Sequence, residues 1–150
     1  MTSCLRITAG GEYAVKVMAA LALEPAGRRV TIGALARQEE IPPSFLAKIL
    51  RTLARAGLVI AAPGPRGGVR LSRPAAEVTL LSIMEAYEGP FSRQACAFSP
   101  GRPCPEPRCR VHCPLRRAED EVRDRLKRIG LREMAASLAR HPDRGARRAR

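Results

Sequence analysis

Residues 31–71 read TIGALARQEE IPPSFLAKIL RTLARAGLVI AAPGPRGGVR L, and this stretch decides the fold. Thr31 carries a hydroxyl that can cap a helix ahead of a short apolar-periodic run. A helix is therefore expected from about Ile32 to Glu39, with Ile32, Leu35 and Ala36 on its inner face. Ile41-Pro42-Pro43 makes a tight connection, and proline fits the first turn of a helix. The next helix is expected from about Pro43 to Ala56, stopped by Gly57. Phe45, Leu46, Ile49, Leu50 and Leu53 form its apolar face, whereas Ser44, Ala47, Lys48, Arg51, Thr52 and Arg55 fall mostly on the other. Two short helices, a brief turn and a basic polar face on the second make a helix-turn-helix pattern. Leu58 to Ala62 and Val69 to Leu71 then flank a Gly- and Pro-rich turn, which predicts a β-hairpin. Attached to a helix-turn-helix, such a hairpin reads as a wing. Arg66 sits at its tip, where a guanidinium can enter a minor groove or touch phosphate.

Upstream, Tyr13, Val17 and Leu21 recur at helical spacing, so a first helix is expected from about Gly10 to Leu23, ended by Pro25 and Gly27. Downstream, Thr79 can cap a helix from Leu80 to Glu88, ended by Gly89-Pro90. Pro114 fits the first turn of a long helix in which Leu115, Ala118, Val122, Leu126 and Ile129 make a narrow apolar stripe under a charged coat. A stripe this narrow suits the seam of a two-helix pair, hence a homodimer, with packing of the helix against its own domain as the alternative. Gly130 breaks the helix, and Leu131 to Leu138 form a last short one. The expected organisation is a winged helix-turn-helix over 1–90, a cysteine-rich loop over 91–113, a dimerisation helix with its closing segment over 114–140, and a basic, disordered tail over 141–150. The fold class is mainly α with a small β-hairpin wing. No internal repeat is visible.

Composition narrows the function. The formal net charge is +13, from 27 Lys and Arg against 14 Asp and Glu. Such a field attracts polyanions, nucleic acid first and an anionic membrane surface second. Aromatics make up 3% and Trp is absent, so the core must be aliphatic, which suits packed helices. No apolar run is long enough to span a membrane. The opening Met1-Thr-Ser-Cys-Leu-Arg6 lacks the order of a secretory signal, so a cytoplasmic location, with reduced thiols, is expected. No P-loop, dinucleotide fingerprint, Ser-His-Asp set or paired-carboxylate pocket is visible, which argues against an enzyme.

Cys96, Cys104, Cys109 and Cys113 lie in one proline-broken segment with His112, and Cys4 stands far from them. In a reducing compartment, clustered thiols point to metal or redox chemistry before a disulfide framework. Thiolates select zinc, copper(I) or iron–sulfur clusters. Structural zinc sites favour close Cys pairs in two separated sets. Here the thiols are spread along one loop, as in a cradle around a cluster. Zinc and an unmetallated thiol switch remain the alternatives, and a small iron–sulfur electron carrier is the alternative of another class.

These residues together resemble a family of dimeric winged-helix transcriptional regulators that includes the iron–sulfur regulator IscR, the nitric-oxide sensor NsrR, the iron regulator RirA and the cysteine-metabolism repressor CymR. The likeness runs from about residue 5 to 138. It is carried by Gly11-Glu12-Tyr13-Ala14, by Ile41-Pro42-Pro43-Ser44-Phe45-Leu46-Ala47-Lys48-Ile49-Leu50, by Gly64-Pro65-Arg66-Gly67-Gly68-Val69-Arg70-Leu71, by Glu85-Ala86-Tyr87-Glu88-Gly89-Pro90 and by Gly130-Leu131-Arg132-Glu133-Met134. The resemblance implies a repressor acting as a homodimer on palindromic double-stranded DNA. Ser44 and Lys48 would approach base edges or phosphates, Arg51 and Arg55 phosphate, and Arg66 would act from the wing. It also implies a [2Fe-2S] or [4Fe-4S] cluster on Cys96, Cys104 and Cys109, because members with a sensory cluster carry three cysteines in this loop. The fourth ligand stays open among His112, Cys113 and Glu12, the last supplied by the other subunit in some relatives. The loop spacings differ from the usual pattern, Cys113 is extra, and Pro63 stands where IscR-like wings carry Arg.

Overall fold

A computed structural model of the chain describes residues 8–64, 67–90 and 112–140. Thr8 caps the first helix, α1 (Ala9–Leu23), by accepting from the Gly11 N–H at 3.2 Å. Thr31 caps α2 (Ile32–Gln38) in the same way, through the Ala34 N–H. The next helix, α3 (Pro43–Arg55), opens on proline and has no side-chain cap; a proline in its first turn forfeits no intrahelical hydrogen bond. Thr79 and Ser82 form a reciprocal capping box on α4 (Leu80–Glu88). Two helices close the described chain, α5 (His112–Arg128) and α6 (Leu131–Ala139). Pro114 thus lies in the first turn of α5, as expected.

Strands β1 (Val59–Ala62) and β2 (Gly68–Leu71) pair antiparallel, with Val59 opposite Leu71 and Ala62 opposite Gly68. A residue from before the helix-turn-helix extends this hairpin. Val30 and Val69 exchange both backbone hydrogen bonds, at 2.9 and 2.8 Å. The wing is therefore pinned to the segment that leads into α2. Gly68 is needed there: its φ is +138°, and a Cβ would lie 2.6 Å from the Val30 carbonyl oxygen. A short 3-10 turn at Ala75–Glu77 leads from the wing to α4.

One apolar core joins these pieces. Val17, Met18, Leu35, Leu46, Ile49, Leu53, Val69, Ile83 and Leu131 are all fully buried. Burying one such side chain contributes about 1.5–3 kcal/mol, so α1, α3 and α4 are held chiefly by this core rather than by helix propensity. The closing helix belongs to it as well. Leu131 and Ala135 are buried, and α6 packs on α1. Its position is set by backbone pairing with the entry to α4, where the Leu131 N–H donates to Val78 and the Leu80 N–H to Ile129.

Three expectations differ in detail. Ile32 is 37% exposed; burial in α2 is confined to Leu35 and Ala36, in its second turn. Phe45 is half-buried, because its ring packs edge-on against Tyr13 at the margin of the core. In α5 no described side chain is buried, Ala118 being exposed and Val122 and Leu126 half-buried, and Ile129, expected within the helix, lies just past its end and is 38% exposed.

Candidate functional site

The outward face of α3 is built by helical spacing alone. At about 100° per residue, Ser44, Lys48, Arg51 and Arg55 fall within about 60° of one another. Leu46, Ile49, Leu50 and Leu53 lie on the opposite side and are buried. All four polar residues of the stripe are exposed. The Arg51 Nε donates to the Ala47 carbonyl at 3.4 Å, which leaves its outer N–H groups to other acceptors. Thr52, also assigned to the polar side, is half-buried and turned inward, its hydroxyl donating to the Lys48 carbonyl.

Contacts absent from the sequence reading fix both ends of this helix to its neighbours. Tyr13 of α1 meets Phe45 of α3 edge to face, centroids 5.8 Å apart at 84°. Lys16 stands over the Tyr13 ring, 5.5 Å from its centroid. Phe45 follows Ser44 directly, so the start of α3 is keyed to α1. At the other end, Arg73 donates to the Gly57 carbonyl at 3.2 Å, and the Ser72 hydroxyl donates to the same oxygen at 2.5 Å. The wing root is thereby tied to the end of α3. Arg66 lies outside the described residues.

Of the six metal-ligand candidates, Cys96, Cys104 and Cys109 also lie outside the described residues. His112 and Cys113 are the first two residues of α5, and their side chains are not among those described. Glu12 is exposed in the first turn of α1. A latch lies one turn before it. The Thr8 backbone N–H and hydroxyl both donate to Glu88 Oε1, at 3.0 and 2.6 Å. The start of α1 is thus bound to the end of α4, where the chain enters the cysteine segment. Sequence reading misses this latch because Thr8 and Glu88 are remote in sequence and neither belongs to a periodic pattern. On the other side of the segment, Arg123 of α5 pairs with Glu85 of α4 at 3.6 Å. The segment therefore leaves and rejoins the fold at α4 and α5, two helices that pack together.

A family model described as "Rrf2: Iron-dependent Transcriptional regulator" matches residues 7–137. Protein aau3 of Rhizobium meliloti is 36% identical over 116 residues, covering 76% of this chain and 74% of that protein. YwgB of Bacillus subtilis, named as a candidate HTH-type transcriptional regulator, is 36% identical over 85 residues, which are 57% of this chain and 54% of YwgB. The likeness therefore spans only about half the length of that relative. Among solved structures, CymR of B. subtilis, the global cysteine regulator, matches with a TM-score of 0.73 at 23% identity, covering 89% of this chain and 98% of CymR. IscR of T. potens matches with a TM-score of 0.69 at 18% identity, covering 90% and 89%. At these identities both structures speak for the fold alone.

Proposed function

Because the chain belongs to the Rrf2 family of transcriptional regulators, we propose that it is a homodimeric repressor whose hold on a palindromic DNA site is set by an iron–sulfur cluster. That it is a DNA-binding regulator and not an enzyme follows from the family itself. The further reading is carried by one observation: the thiol segment is inserted between α4, which is latched to α1, and α5, whose apolar stripe is half-exposed in the single chain.

Two copies joined along Val122, Leu126 and Ile129 would bury that stripe and set two α3 helices about a two-fold axis. Ser44 and Lys48 would then meet base edges or phosphates, Arg51 and Arg55 phosphate, and Arg66 the groove beside them. The donor set fits a cluster, since Cys96, Cys104 and Cys109 supply three soft thiolates and one of His112, Cys113 or Glu12 supplies the fourth. A bound cluster supplies one-electron redox chemistry and a reactive metal-sulfide core. The chain's own part is to hold it in a segment that borders both the head and the dimer seam. A change in that segment would act through Glu88 on Thr8 and α1, and through Tyr13 on Phe45 and α3. We place this regulator in the cytoplasm, where thiols remain reduced.

Anaerobic purification followed by iron, sulfide and zinc analysis tests the cofactor. Iron with matching acid-labile sulfide and visible charge-transfer absorbance is the expected result. Stoichiometric zinc without sulfide, or a metal-free protein after anaerobic reconstitution, would sink the cluster assignment in favour of zinc or a thiol switch.

A further inference from the structure

A second basic feature lies away from the α3 stripe. Arg28, Arg70, Arg73 and Arg132 line one cleft of about 490 Å³ between the end of α1, the wing root and α6. None of Ser44, Lys48, Arg51 or Arg55 lines it. The single carboxylate in the wall, Glu24, is already paired with Arg28 at 3.3 Å. Arg70 donates from Nη1 to the Leu71 carbonyl at 3.3 Å, and Arg73 from Nη2 to Gly57 at 3.2 Å. Each guanidinium has five N–H donors, so each keeps others free. Arg132 is exposed on the first turn of α6. Four arginines against one carboxylate in the lining leave an excess of positive charge around a concave space, where like charges repel unless an anion enters.

We propose that this cleft binds a small phosphate-bearing organic molecule. Phosphate suits it because its oxygens accept forked N–H pairs from several arginines at once, and because it carries up to two charges. The volume falls within the range of about 300–1,000 Å³ common to small-molecule sites and exceeds what a lone phosphate fills. Leu21, Pro25, Leu71 and Ala75 supply an apolar wall for the remainder of the ligand. The arginines come from three separate stretches of the fold, Arg28 after α1, Arg70 and Arg73 at the wing root, and Arg132 on α6. Binding would therefore draw the wing root, the end of α1 and α6 together. The proposal does not depend on the cluster assignment.

Calorimetric titration of the full-length protein with inorganic pyrophosphate, in about 150 mM chloride to screen diffuse attraction, provides the test. Wild type is expected to give saturable binding at one site per chain. Arg132→Ala should weaken it by about tenfold or more, the loss expected for a charge-assisted hydrogen bond. Arg132→Lys, which keeps the charge but loses the fork, should fall between. Arg132 is exposed, so both variants should retain the wild-type circular dichroism spectrum. The absence of saturable wild-type binding would overturn the proposal, as would equal affinity in wild type and Arg132→Ala. A third contrary result would be loss of DNA affinity and of salt slope in Arg132→Ala without saturable pyrophosphate binding, which would make the cleft a DNA-backbone contact.

Discussion

Glu40 and Gly57 occupy the same seat at the ends of successive helices. After α2, the Ile41 N–H donates to Ala36 at 2.9 Å and the Glu40 N–H to Arg37 at 3.4 Å. After α3, the Leu58 N–H donates to Leu53 at 3.0 Å and the Gly57 N–H to Ala54 at 2.9 Å. Both are the paired closure that places one residue in the left-handed region. Gly57 has φ +70° and Glu40 has φ +54°. Glycine takes this conformation without a Cβ clash, whereas a glutamate there costs about 1 kcal/mol. Glu40→Gly should therefore raise stability by about 0.5–1 kcal/mol, read as a higher denaturant midpoint, while Gly57→Ala should lower it by about 1 kcal/mol or more. The reverse order of the two effects would contradict this account of the turn.

Beside it, burial raises the Glu39 carboxyl above its ordinary 4.5, against the opposing pull of the Gln38 amide and the Lys16 charge. A raised carboxyl means that the folded chain keeps its proton where the unfolded chain has lost it. Stability then falls as pH rises through the window just above 4.5. Glu39→Gln should flatten that fall in thermal melts taken across the window, and a variant with the wild-type slope would refute it.

At the scale of elements, the α3 stripe makes a prediction of its own. Lys48→Ala should weaken DNA binding at every sequence and reduce the slope of log affinity against log salt by about one unit, if Lys48 contacts phosphate. A loss confined to one sequence would instead give Lys48 a base contact. For α5, Leu126→Asp should yield monomers by sedimentation with the head's circular dichroism unchanged; a persisting dimer would rule out this seam.

Most element limits were legible because local chemistry marks them. Thr31 and Thr79 cap, Pro43 opens, and Gly57 and Gly89 close. The α3 stripe was legible for the same reason, since a single helical period sorts its residues. What escaped was non-local. The Val30–Val69 bridge joins single residues with no periodic pattern around them. The burial of Leu131 depends on α1 and α4, which its own neighbours in sequence cannot reveal. Glu40 violates the expectation of glycine, so its turn carried no signal.

For the molecule as a whole, the charge of +13 predicts DNA affinity that falls steeply with salt, independent of any sensing role. The arginine cleft illustrates the limit of sequence reading at this scale. Arg28, Arg70, Arg73 and Arg132 are unremarkable in a basic chain until the fold assembles them. The thiols are the opposite case: Cys96, Cys104 and Cys109 stand out by residue type, but the fourth ligand of the proposed cluster depends on what folding and pairing bring near. The described contacts link the end of α4 to α3, the proposed DNA-reading helix, from Glu88 through Thr8 and α1 to Phe45. That control is the central claim. Its most direct test is the affinity of anaerobically purified protein for one palindromic promoter fragment, at fixed salt, before and after removal of the cluster. A change of about tenfold or more, equivalent to about 1.4 kcal/mol of coupling, is predicted. Equal affinity in the two states would contradict it.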